Sequence, residues 1–147
     1  MKNSGLEPAP FSYKCRLAGL PLTVQRQVVY DILAATTAHP TADWVYEEAK
    51  KRLPHLSRTS VFRILDAFTA HGLIRKIETP GSCARYDGNA ARHCHTICTE
   101  CGAIGDWFHS PFDAISCPDQ TDEGFEIDDY SFTVYGVCAD CMDKERA

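Results

Sequence analysis

Apolar positions Val24, Val28, Ile32 and Leu33 recur at helical spacing behind Thr23, whose hydroxyl can cap a helix start, and the pattern stops before His39 and Pro40. Thr41 opens a second predicted helix with Asp43 in its first turn and the stripe Val45, Ala49 and Leu53. The basic run Lys50, Lys51 and Arg52 fills its last turn, where it suits the helix dipole, and Pro54 stops it. Ser57 caps a third, with Val61, Ile64, Leu65 and Phe68 as its buried face and Gly72 at its end. The period then drops to two: Leu73–Glu78 and Cys83–Asp87 read as strands about a turn at Thr79, Pro80, Gly81 and Ser82. Three short helices and a hairpin predict a winged helix-turn-helix.

The second half predicts short strands near His93–Cys98 and Ala103–Phe108. A helix or irregular segment follows from Pro111 to about Asp122, then a strand from Phe125 to Val137, with the acidic, glycine-interrupted stretch Asp119–Asp129 as a surface turn. The fold class is therefore α+β: a winged-helix domain over residues 1–86 and a small α/β domain over residues 87–147. Within 147 residues neither part buries much apolar surface, so a metal or a partner subunit is expected to add stability.

Charge sharpens the division. Residues 1–85 carry 12 basic against 7 acidic side chains, a net of +5, and residues 86–147 carry 3 against 13, a net of −10. A basic half suits a polyanion, which an acidic half repels. In the winged-helix reading the third helix is the recognition helix. Ser57, Arg58, Thr59, Ser60, Phe62 and Arg63 then face double-stranded DNA, and Arg75, Lys76 and Arg85 place charge on the wing. The plainer alternative is three amphipathic helices with a solvated basic face. No apolar run approaches the length of a membrane span, and Met1–Gly5 lacks the basic-then-apolar start of an export signal, so a cytoplasmic protein is expected.

Eight cysteines in such a chain point to metal or redox chemistry before structural disulfides. Cys98-Thr-Glu-Cys101 and Cys138-Ala-Asp-Cys141 each put two thiolates on one tight turn, and together they form a closed four-sulfur set of the kind that holds structural zinc. The 36 residues between the pairs require a strand-helix-strand segment in the loop. A redox pair or two disulfides are the other readings. Cys15, Cys83, Cys94 and Cys117 are isolated and read as small apolar residues.

A second constellation uses nitrogen and oxygen. On a strand, His93 and His95 share a face and Cys94 turns away. Asp87 lies six residues upstream, Asp106 falls on the next strand, and His39 sits at a helix junction, where a cap or surface residue is the commoner role. Three imidazoles and two carboxylates suit iron(II) or manganese(II) better than structural zinc.

Together the motifs resemble one family. Thr23-Val-Gln-Arg26, His39-Pro-Thr-Ala42, Ser60-Val-Phe-Arg63-Ile-Leu65, Gly72-Leu-Ile74, Arg85-Tyr-Asp87, His93-Cys-His95, Cys98-Thr-Glu-Cys-Gly102 and Tyr135-Gly-Val-Cys138 resemble, in order, the ferric uptake regulator family. The resemblance implies a homodimer with a winged-helix DNA-binding half and an α/β dimerisation half. Aspartate at both acidic positions makes the chain most similar to the peroxide-sensing branch, whose regulatory iron or manganese ligands map onto His39, Asp87, His93, His95 and Asp106. It implies a repressor, not an enzyme, released from operator DNA when iron(II) and peroxide oxidise His39 or His93. An iron-availability sensor without histidine oxidation is the alternative within the family. A metallohydrolase is the alternative outside it, and no further base or substrate-positioning motif supports one. Three departures stand out: Tyr130 replaces a histidine of an additional metal site, so no such site is expected; Phe62 replaces a tyrosine; and Arg63 is commoner in the iron-sensing branch.

Overall fold

Residues 9–146 are described by a computed structural model, so the reading of Met1–Gly5 lies outside the described residues. The first helix, α1 (Phe11–Ala18), is one the apolar pattern did not reveal. It closes on Gly19 at φ 67°, where the Leu20 N–H reaches back to the Cys15 carbonyl at 2.9 Å. Phe11 and Cys15, one turn apart, are its buried pair, and Phe11 stacks on Tyr30 with ring centroids 4.2 Å apart. Two inward positions on an eight-residue helix are too few for a periodic signal.

The next three helices start where their caps predict: α2 (Val24–Ala34) on Thr23, α3 (Ala42–Arg52) on Thr41 and α4 (Arg58–Ala70) on Ser57. Each cap hydroxyl accepts a backbone N–H three residues on. The stripe on α2 differs from the one expected. Val24 is exposed and Val29 is fully buried beside Ile32 and Leu33, because the core lies against the later turns of the helix. On α4 all four predicted positions, Val61, Ile64, Leu65 and Phe68, are buried in one cluster with α1 to α3.

After Gly72, at φ 67°, the chain enters β1 (Arg75–Ile77) and returns as β2 (Arg85–Asp87), antiparallel with Arg75 opposite Asp87. The strands are shorter than predicted because Leu73 and Ile74 are drawn into the helical core. Chain contacts divide the molecule into two compact units, one ending at Ala90 and the other starting at Ala91. Helices and hairpin make the first unit a winged helix-turn-helix.

The second unit is a three-stranded sheet in the order β4-β3-β5. Central β3 (Cys94–Cys98) runs antiparallel to β4 (Ile104–Trp107) and parallel to β5 (Thr133–Gly136). The expected helix after Pro111 is only a 3-10 turn, Pro111–Ala114, and the expected strand from Phe125 is ladder-paired only at residues 133–136. Pro118 blocks continuation of the 3-10 turn into a longer helix. Further on, Gly124, at φ 85°, lets the chain fold back on itself ahead of β5, with the Thr121 N–H donating to the Phe125 carbonyl at 2.9 Å. A last helix, α5 (Ala139–Arg146), follows Cys138 and was not anticipated. Among the described residues no helix is long and apolar enough to cross a membrane.

Candidate metal centres and nucleic-acid interface

Sheet topology assembles the sulfur quartet. Cys98 ends β3, and a tight turn through Gly102, at φ 72°, carries Cys101 back toward β4. The parallel pairing of Cys98 with Gly136 delivers Cys138 to the same sheet end, and the first turn of α5 returns Cys141. One sulfur from each lies within 4.8 Å of the other three. The Cys101 and Cys138 Sγ atoms are 3.7 Å apart. Sulfurs bound tetrahedrally to zinc at about 2.3 Å are separated by about 3.8 Å, whereas a disulfide needs about 2.05 Å.

Protonation points the same way. Backbone N–H groups of Cys101 and Cys138 pull the Cys98 thiol down to about 6, and the thiols of Cys138 and Cys101 push Cys141 up to about 12. A quartet with one ready thiolate and one thiol held protonated by its neighbours gives up its remaining protons in exchange for a cation. Cys138 does begin a helix after a parallel strand, a redox-pair context that was not visible in the sequence. Its close approach to Cys101 across the two pairs is instead the arrangement of a four-sulfur site. Of the isolated cysteines, Cys15 and Cys94 are buried as expected, while Cys117 is half-buried and Cys83 is exposed on the wing turn.

In the second unit, His95 stands on β3 opposite Asp106 of β4, and His93 precedes the strand with its ring centroid 4.4 Å from that of His95. Asp106 Oδ1 lies 2.9 Å from His93 Nε2 and 3.5 Å from His95 Nε2. His93 Nδ1 sits 2.8 Å from the Ala91 carbonyl, which can only accept, so the proton of a neutral ring is on Nδ1. Its Nε2 lone pair then faces a carboxylate oxygen. Converging acceptor atoms of this kind, on imidazoles only 4 % exposed, fit a divalent cation.

In the first unit, His39 and Asp87 form a second buried pair, Nε2 to Oδ2 3.6 Å. His39 adopts φ 50°, and its turn is tied to β2: Arg85 Nε donates to the His39 carbonyl and the Tyr86 N–H donates to that of Pro40. Asp87 accepts the Asn89 N–H at 2.8 Å, which orients its carboxylate. Gly88 is needed beside it, since a Cβ there would lie 2.7 Å from the Leu33 carbonyl oxygen.

The predicted DNA-facing residues have varied surroundings. Ser57 caps α4 and shares a 2.8 Å contact with the Ser60 hydroxyl. Thr59 and Arg63 are exposed. Phe62 is half-buried against the helical core, and Arg58 lies over its ring while pairing with Asp43. On the wing, Arg75 donates to the Ala90 carbonyl, Arg85 is committed to His39 and Lys76 pairs with exposed Glu78 at 3.2 Å. The sequence marks Asp43 only as a first-turn acid and does not mark Gly88, because each makes its contact with a residue distant in the chain.

The ferric uptake regulator family model matches residues 17–135. The chain belongs to that family. This family member is 32 % identical over 129 residues to the peroxide-responsive repressor of Staphylococcus aureus, an alignment covering 88 % of this chain and 87 % of the relative. Its fold is similar to the Campylobacter jejuni peroxide stress regulator, with TM-score 0.63 and 26 % identity over 89 % of this chain and 96 % of that one. It is similar also to the Pseudomonas aeruginosa ferric uptake regulator determined with manganese, with TM-score 0.69, where 22 % identity over 87 % and 97 % of the two chains shows the fold alone. The family's two kinds of ion match two donor sets here: zinc suits the sulfur quartet, and iron or manganese suits imidazole with carboxylate.

Proposed function

We propose that the chain is a peroxide-sensing transcriptional repressor that binds operator DNA as a homodimer while iron(II) or manganese(II) occupies its imidazole-carboxylate site. The observation that carries the reading is the convergence of His93 Nε2, just before β3, His95 Nε2 on β3 and Asp106 Oδ1 on β4, a donor set with the chemistry of a divalent-ion site. In this reading His39 and Asp87 belong to the same regulatory ligand set, and metal binding and DNA binding share a coupling free energy of typically about 1–3 kcal/mol. The zinc quartet is scaffold, and Ser57, Arg58, Thr59, Ser60, Phe62, Arg63, Arg75 and Lys76 form the surface offered to DNA.

Likeness to peroxide-responsive relatives supports the sensing step. Iron(II) held at this site would activate peroxide without net consumption. The ring of His39 or His93 would be the two-electron donor: one of its C–H bonds becomes C–OH with one peroxide oxygen, and the other oxygen leaves as water. A ring so oxidised is a poorer ligand, and the metal-dependent grip on DNA is lost. Operator binding measured with manganese and with iron, each with and without peroxide, tests this. Only the iron form should release DNA, with one added oxygen on a histidine peptide by mass spectrometry. If release occurs by metal loss without histidine oxidation, the chain is an iron-availability sensor instead.

A further inference from the structure

Arg58 is the first residue of α4, at the end of a recognition helix that meets base edges. Its guanidinium is held from two sides. Nε donates to Asp43 Oδ1, in the first turn of α3, and the guanidinium carbon lies 4.8 Å from the centroid of Phe62, one turn along α4. The Arg58 and Asp43 side chains are 61 % and 57 % exposed, and an exposed pair of this kind contributes little to folding. Its effect lies in orientation. With Nε engaged by a carboxylate on a neighbouring helix and an aromatic ring beside the guanidinium, the two Nη groups are the donors left to form a fork toward a duplex.

Resting on the DNA-binding reading proposed above, we infer that Arg58 reads a guanine in the operator and that Asp43 is the positioning residue that aims it. A pair of Nη–H donors matches guanine O6 and N7 in the major groove, the commonest specific contact an arginine makes. A phosphate contact would not call for the carboxylate. Phosphates are met from many arginine orientations, and a negative charge beside the contact opposes the duplex. Asp43 therefore lowers affinity for DNA in general while sharpening the preference for one base. Phe62 fits the same role, because its face supports the guanidinium plane where it packs on the core.

The test is selection from a pool of random duplexes by the full-length, manganese-loaded protein, comparing wild type with Asp43→Asn and Arg58→Lys. Wild type should enrich sites with a guanine at a fixed position. Asp43→Asn should lower the preference for that guanine about tenfold, leave the other positions unchanged and bind unselected duplex as well as or better than wild type. Arg58→Lys, which keeps the charge but loses the fork, should lower the preference at the same position. If Asp43→Asn keeps the full guanine preference, or tightens binding to every sequence with an unchanged profile, the positioning role is overturned while DNA binding stands. A wild type that selects no sequence overturns both.

Discussion

Gly88 shows how one absent carbon holds a candidate metal ligand in place. The backbone after Asp87 passes so close to the end of α2 that a Cβ would meet the Leu33 carbonyl carbon at 2.9 Å and its oxygen nearer still. Both are backbone atoms and cannot swing aside. Gly88→Ala should therefore destabilise the first unit by about 1–3 kcal/mol, seen as a lower urea midpoint, and should weaken manganese binding by displacing the Asp87 carboxylate. An unchanged manganese isotherm would show that Asp87 does not depend on this approach. Nothing local marks Gly88, because the contact joins residues far apart in sequence. His93, His95 and Asp106 were legible for the opposite reason: strand periodicity puts two imidazoles on one face, and the neighbouring strand offers a carboxylate.

Caps made α2, α3 and α4 readable at the scale of elements, since a hydroxyl three residues ahead of its N–H partner is a local signal. Elements without such a local signal are not predictable from the sequence. α1 has a proline at its N-cap and two inward residues, α5 follows directly on a cysteine ligand, and β5 is strand only where β3 offers an edge. The cap of α4 matters most, because Ser57 fixes the first turn of the helix that presents Arg58, Thr59 and Arg63. Ser57→Ala should cost about 1 kcal/mol of stability to chemical denaturation, and Ser57→Asp should recover most of it as an alternative N-cap. If Ser57→Ala weakens DNA binding with no loss of stability, the hydroxyl serves the duplex and not the helix.

For the whole molecule the two units differ in what holds them together. The first buries a contiguous aliphatic and aromatic cluster contributed by four helices and the start of the hairpin. Among its described residues the second buries only Cys94, Ile97 and Cys98 as apolar side chains, and Cys98 belongs to the sulfur quartet. A three-stranded sheet with so small a core is not stable on burial alone, and the four-sulfur site is the feature that can make up the difference. The quartet closes the sheet where β3, β4 and α5 meet, so its ion acts as the missing core. The two ions should then separate in a chelation experiment. Dialysis against a weak chelator should remove manganese and abolish operator binding while circular dichroism stays unchanged. A strong thiol-competing chelator under reducing conditions should remove zinc, melt the second unit and dissociate the dimer. Limited proteolysis of the zinc-stripped protein should then digest residues 91–146 and leave a helical fragment ending near Ala90. Survival of the second unit without zinc would mean that the sheet is held by contacts other than the four cysteines.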